Sequence, residues 1–158
     1  MSKKVKAIGF VQVMKRIKQA GLQHSPPPNR ADFELNELDP IEKRVAQLFN
    51  IVECNQSAGN MIYFVMYDIE DNKVRVQVSK YLIKKGCQRI QKSIFLANTE
   101  RKVFDQIQDD LKAVQQCYDN NDSIIMIPVS TDELKAMKII GQNIDMDITL
   151  KNRNTLFF

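Results

Sequence analysis

Met61-Ile62-Tyr63-Phe64-Val65-Met66-Tyr67, closed by Asp68, is the stretch whose reading decides the fold. It is a continuous apolar and aromatic run of strand length. Such a run suits a strand buried on both faces, or buried on one face with a partner subunit on the other. Working outward, Val74, Val78 and Leu82 fall on one helical face, so the spacing predicts a helix from about Asp71 to Lys85 that stops at Gly86. Arg89 to Ala97 reads as strand, broken into two short pieces. Asn98 or Thr99 is placed to cap a long helix carrying Val103, Ile107, Leu111, Val114 and Tyr118. After an Asp119–Asp122 turn, Ser123 to Val129 reads as a second buried strand. Thr131 to Ile140 reads as a short helical region closed by Gly141. Ile144, Met146, Ile148 and Leu150 alternate with polar residues, the pattern of a half-buried strand.

Strand, helix, broken strand, helix, strand, extra strand is the order of an α+β, ferredoxin-like split β-α-β domain with an added C-terminal strand. The surplus strand needs an edge, and a second subunit can supply one. The expected organisation is a ferredoxin-like unit over residues 61–158 preceded by a helical extension over 1–60. In that extension Phe10, Val13, Met14 and Ile17 share a helical stripe, with Gly21 as its stop. Pro26-Pro27-Pro28 breaks any helix and favours polyproline II, a stiff linker. Asp39 is a candidate cap and Pro40 a first residue for a second helix with Ile41, Val45, Leu48 and Val52 on one face.

Composition narrows the chemistry. The only histidine is His24, so a multi-histidine metal centre is excluded from a single chain and a Ser-His-Asp triad is improbable. Cys54, Cys87 and Cys117 stand far apart with no C-x-x-C pair, as expected of free thiols in a reducing cytoplasm. No apolar run approaches the length of a membrane helix, and no secretory signal is evident. The net charge is +4, and residues 1–24 hold Lys3, Lys4, Lys6, Lys15, Arg16 and Lys18 without an acid. That balance is compatible with nucleic acid.

The segment YFVMYDIEDNKVRVQVSKYLIKKG (Tyr63–Gly86) followed by RIQKSIF (Arg89–Phe95) resembles the small CRISPR adaptation, or spacer-acquisition, proteins. That family has a first strand ending in Tyr-Asp, a basic helix and an Arg-hydrophobic-Gln-x-Ser-hydrophobic-Phe strand. Here these are Tyr67-Asp68, Arg75 and Lys80, and Arg89 to Phe95. Gln77 stands where relatives often carry a second arginine. The resemblance covers 61–158 and implies a homodimer that binds double-stranded DNA and bridges dimers of the CRISPR integrase.

Asp68 follows the strand, where a carboxylate can ligate Mg²⁺ or simply end the strand and cap the next helix. One carboxylate is a poor metal site. The resemblance implies that the matching aspartate of a partner supplies a second, which makes Asp68 the candidate metal ligand and catalytic residue. Arg75, Lys80, Arg89 and Lys92 are the candidate phosphate contacts, against the alternative of a solvated basic surface. Two other functions stay open: a Mg²⁺-dependent endonuclease on RNA or DNA, and a ferredoxin-like protein-interaction domain without nucleic acid.

Overall fold

The computed structural model of the chain describes residues 10–22, 38–53, 59–118, 120–137, 140–141 and 144–145. Expectations placed on Lys3, Lys4, Lys6, His24, the three prolines, Cys54 and residues 146–150 lie outside these.

The helices α1 (Phe10–Gln19) and α2 (Ile41–Glu53) precede the strand β1 (Asn60–Asp68). Then come α3 (Asn72–Lys84), β2 (Gln88–Gln91), β3 (Ile94–Glu100), α4 (Arg101–Gln115), β4 (Ser123–Pro128) and α5 (Thr131–Ala136). The pair β5 (Ile140–Gly141) and β6 (Ile144–Asp145) forms a two-stranded sheet of its own. The main sheet has the antiparallel order β2-β3-β1-β4, which fits the ferredoxin-like α+β fold.

Period-two alternation divides the central strand between two cores. Tyr63, Val65 and Tyr67 of β1 join Phe95 and Ala97 of β3 on the side covered by α3 and α4. Val74, Val78, Tyr81, Leu82, Phe104, Ile107, Leu111 and Val114 of those helices complete this core. The opposite side presents Ile62 and Phe64 of β1, Leu96 of β3 and Ile90 of β2 to Leu48 and Ile51 of α2 and Leu134 of α5. The cover for the second face, which the sequence left open, comes in part from the chain's own N-terminal region.

The first helix joins the other core. Ile17 and Leu22 are buried at 1% exposure each, so this basic segment is anchored by its apolar stripe. Arg16 Nη1 donates to the Cys117 carbonyl at 2.9 Å, and Gly21 lies against Asp110, so α1 runs antiparallel across α4. Gly21 has φ +101°, and a Cβ there would collide with the Asp110 carboxylate, which accepts a hydrogen bond from the Tyr81 hydroxyl. Only glycine meets both demands.

Several boundaries differ from expectation. Asn98 and Thr99 do not cap α4. They continue β3 opposite Ile62 and Met61, and the Tyr63 and Thr99 hydroxyls bond at 3.0 Å. Glu100 takes the N-cap position without a side-chain bond. The α4 helix ends at Gln115, short of Tyr118, whose hydroxyl instead donates to Asp122. Asp39 holds Lys43 Nζ at 2.9 Å, while the Pro40 carbonyl accepts the first helical bonds of α2. The α5 helix stops at Ala136, after a reciprocal Ser130–Glu133 cap. Ile140 and Gly141 are strand, not helix end. The β4 strand is not fully buried: Ile125 is 53% and Ile127 40% exposed, because this edge strand lies beyond the α2 cover.

Burial makes alkaline stability a reporter of the α3/α4 core. Desolvation pushes the Cys87 thiol up from 9.0 to about 12 and the Tyr63 phenol up from 10.0 to about 12. Raised acidic groups favour the folded state while protonated, so their contribution is complete below pH 9 and is lost as pH rises toward 12. The expected slope is at most about 1.4 kcal/mol per pH unit for each group. Urea denaturation of Cys87→Ala at pH 8 to 10 should show a flatter decline than that of the unsubstituted protein.

Candidate nucleic-acid and metal site

The C-terminal end of β1 is where the predicted residues meet. Tyr67 N donates to Ser93 O at 3.1 Å, which places the Lys92–Ser93 turn between β2 and β3 beside Tyr67-Asp68. On the other side Asp68 pairs with Ser123 at the start of β4. The chain then turns into α3, whose N-cap is Asp71: its Oδ1 accepts from Lys73 N at 2.8 Å and Val74 N at 3.0 Å. The helix start therefore lies at the same end of the sheet.

Charges there oppose what helix stability alone would select. The first turn of α3 holds no acid but carries Lys73, with Arg75 following. Cations near a helix N-terminus face the positive end of its dipole, an arrangement that stabilises an anion rather than the helix. Arg75 Nη2 donates to Asn72 Oδ1 at 2.7 Å, which steers the guanidinium along the helix start. Arg89 is half-buried, and Nη2 donates to the Lys92 carbonyl at 2.8 Å, across the turn. Its burial lowers its pKa, with Tyr67 opposing and Arg75 reinforcing that shift. Burial likewise raises the Tyr67 phenol, while Arg89, Ser79 and Arg75 pull it down. Arg75 and Arg89 thus act on one tyrosine from two elements. Lys80 is different: five residues beyond Arg75, it is rotated about 140° around α3, off the Arg75 face.

The acids separate by task. Asp71 caps α3. Asp122 accepts from Glu70 N at 3.0 Å and from the Tyr118 hydroxyl, so it ties the post-β1 loop to the approach to β4. Asp68 is exposed at the strand end, and its carboxylate is engaged by no other described residue. Among the described residues no group of three His, Cys, Asp or Glu side chains is placed to hold a metal. Among the described residues at this end of the sheet, Asp68 and its neighbour Glu70 are the carboxylates whose side chains take no partner, and Asp68 is the one at the strand end.

The CRISPR associated protein Cas2 family matches residues 61–137. The CRISPR-associated endoribonuclease Cas2 of Korarchaeum cryptofilum is 31% identical over 84 residues, 53% of this chain and 88% of that protein. The chain belongs to the Cas2 family. The Cas2 match begins with β1 and spans Asp68, Arg75, Lys80, Arg89 and Lys92, while α1 and α2 precede it. Outside the predicted set, Ser79 was missed, although it lies four residues beyond Arg75 on one helical face. Arg44 of α2 was also missed; its Nη1 donates to Ile90 O at 2.8 Å, so it pins α2 to the edge strand β2 of the Cas2 sheet. Among the described residues no helix is long and apolar enough to cross a membrane.

The two arginines should separate in a stability measurement. Arg89→Ala removes the brace on the turn and should cost about 1–2 kcal/mol in urea denaturation. Arg75→Ala should stay within about 0.5 kcal/mol, because its bond is exposed and its charge opposes the helix dipole.

Proposed function

We propose that the protein acts in CRISPR spacer acquisition, as a cytoplasmic homodimer that binds the backbone of double-stranded DNA and bridges integrase dimers. The observation that carries this reading is the gathering of Arg75, Arg89 and Lys92 around the end of β1. Cations on one surface gain affinity by releasing phosphate counterions and read no sequence. A two-fold axis doubles the surface, which suits a long duplex. The uncovered Ile125 and Ile127 support self-association, since exposed apolar side chains on an edge strand favour burial against a second copy. In this reading residues 1–60 are an extension resting on a 61–158 adaptation unit.

Duplex binding to a fluorescent 30-base-pair DNA should weaken steeply with salt, with a log–log slope of about −0.9 for each phosphate contact. Arg75→Ala combined with Lys92→Ala should lower affinity and flatten that slope, without the turn defect expected of an Arg89 variant. Unchanged affinity would move the interface elsewhere. If the unsubstituted protein shows no salt-dependent binding, the protein-interaction reading takes its place.

A second reading, a Mg²⁺-dependent endonuclease, is favoured by the uncommitted Asp68 and by the endoribonuclease name of the Korarchaeum relative. Mg²⁺ is commonly held by one or two carboxylates and several waters, so the Asp68 residues of two protomers fit its needs where one does not. Bound there, it would supply Lewis acidity for phosphodiester hydrolysis. Asp68 would hold it, and Arg75 and Lys92 would offset the phosphate charge. Asp68→Asn should abolish any Mg²⁺-dependent cleavage of RNA or DNA, by roughly a hundredfold or more, and leave duplex binding and the dimer intact. Cleavage that survives this substitution would remove Asp68 from the site.

A further inference from the structure

Behind the exposed residues of this site lies a pair of buried hydroxyls. Tyr67 is 5% exposed and Ser79 4% exposed. The Tyr67 hydroxyl and Ser79 Oγ act on one another, yet neither reaches a hydrogen-bond partner in good geometry. A buried hydroxyl without a partner is rare in a folded protein, because desolvating it is unfavourable. The two hydroxyls face the same place, between α3 and the sheet.

Four elements of chemistry meet there. Ser79 is one helical turn beyond Arg75, so both occupy one face of α3. Tyr67 stacks on Phe95, with ring centroids 5.9 Å apart, and Phe95 pairs in register with Arg89 on β2. Two neutral donors are therefore flanked by two guanidiniums, which enter from separate elements. Charge and donors of this kind suit an anion with several oxygens.

We propose that Tyr67, Ser79, Arg75 and Arg89 form a recessed seat for a phosphate dianion, either inorganic phosphate or the monoester at the end of a nucleic-acid strand. The depth of the hydroxyls is the reason for a dianion rather than a diester. An internal diester is flanked by two sugars and meets the protein at its surface, where Lys92 and Arg75 are. A terminal phosphate has a free end that can enter between α3 and β2, with three oxygens and close to two negative charges to satisfy. The seat rests on the nucleic-acid reading of the surrounding surface and adds recognition of an end to binding along the backbone.

Two measurements test it. In a thermal-unfolding series, inorganic phosphate at a constant ionic strength set with chloride should raise the melting temperature of the unsubstituted protein. Ser79→Ala and Tyr67→Phe should fold with equal or higher melting temperature in chloride and lose the phosphate-dependent rise. In the second measurement, a duplex with 5′- and 3′-phosphate ends should bind several-fold tighter than the same duplex with hydroxyl ends. That preference should vanish in Ser79→Ala. A phosphate rise without an end preference assigns the seat to free phosphate. An end preference lost in the variants assigns it to strand termini. No phosphate effect in either assay, or one unchanged by both substitutions, overturns the seat. A melting temperature lowered in chloride by both substitutions also overturns it, since the hydroxyls would then be satisfied within the protein. Binding of the hydroxyl-ended duplex reports separately on the backbone interface, so loss of the seat and loss of that interface are distinguishable.

Discussion

A central strand that is apolar on both faces cannot be satisfied by one layer of helices. Tyr63, Val65 and Tyr67 point one way and Ile62, Phe64 and Met66 the other, so β1 requires apolar cover on both sides of the sheet. The crossover helices α3 and α4 meet the first requirement, as in any split β-α-β unit. The second is met by elements from opposite ends of the chain. Leu48 and Ile51 of α2 and Leu134 of α5 close over Ile62, Phe64, Ile90 and Leu96. The N-terminal region is thus part of how the sheet is stabilised, and α2 is held both by apolar burial and by Arg44 on the free edge of β2. Covering an edge carbonyl in this way also removes one site for uncontrolled strand pairing.

The same strand explains why the site is where it is. A central strand ends between its neighbours, so Asp68 is flanked by the β2–β3 turn through Ser93 and by the start of β4 through Ser123. The helix that follows must start there, which sets Asp71, Arg75 and Ser79 along its first two turns. Position, not individual residue chemistry, brings opposite charges to one end of the sheet. The loop acids are sorted by backbone needs: Asp71 is consumed by the α3 cap, and Asp122 by Glu70 N and Tyr118. Asp68 has no such task and stands at the strand end, the position that the family resemblance marks for a ligand.

Most of the fold was legible because its signals are periodic and strong. The MIYFVMY run, the Val74–Val78–Leu82 face and Gly86, with φ +89°, each specify one outcome. The misreadings fall where two local signals compete. Asn98 and Thr99 are good caps, yet pairing with Ile62 and Met61 extends β3 through them, since a strand partner satisfies both backbone groups. SIIMIPV looks fully buried in composition, but an edge strand next to an incomplete cover leaves Ile125 and Ile127 in water. At the candidate site, Asp68, Arg75, Lys80, Arg89 and Lys92 were all named from the family-like segments, and helical rotation sets Lys80 apart from Arg75. Ser79 carried no charge and no motif. Its role depends on a tyrosine twelve residues earlier, across a turn, which helical spacing from Arg75 indicates only once β1 and α3 are known to pack.

The partial cover also constrains any symmetric pairing. Because α2 and α5 occupy the sheet near Ile62, Phe64 and Leu96, the uncovered apolar strip among the described residues of this face lies on the β4 side, at Ile125 and Ile127, with Met66 beside them on β1. Ile125 pairs with Met66, two residues before Asp68. A second copy that buries this strip would therefore meet the sheet close to the end of β1 and bring its own Asp68 toward the first. Contact through the half held by α2 would leave the two carboxylates apart and would have to displace Leu48 and Ile51 from a formed core. The proposed dimer and the proposed two-carboxylate metal seat thus depend on one geometric feature: the described residues cover the far part of the second sheet face and leave Ile125 and Ile127, on the side of Asp68, exposed.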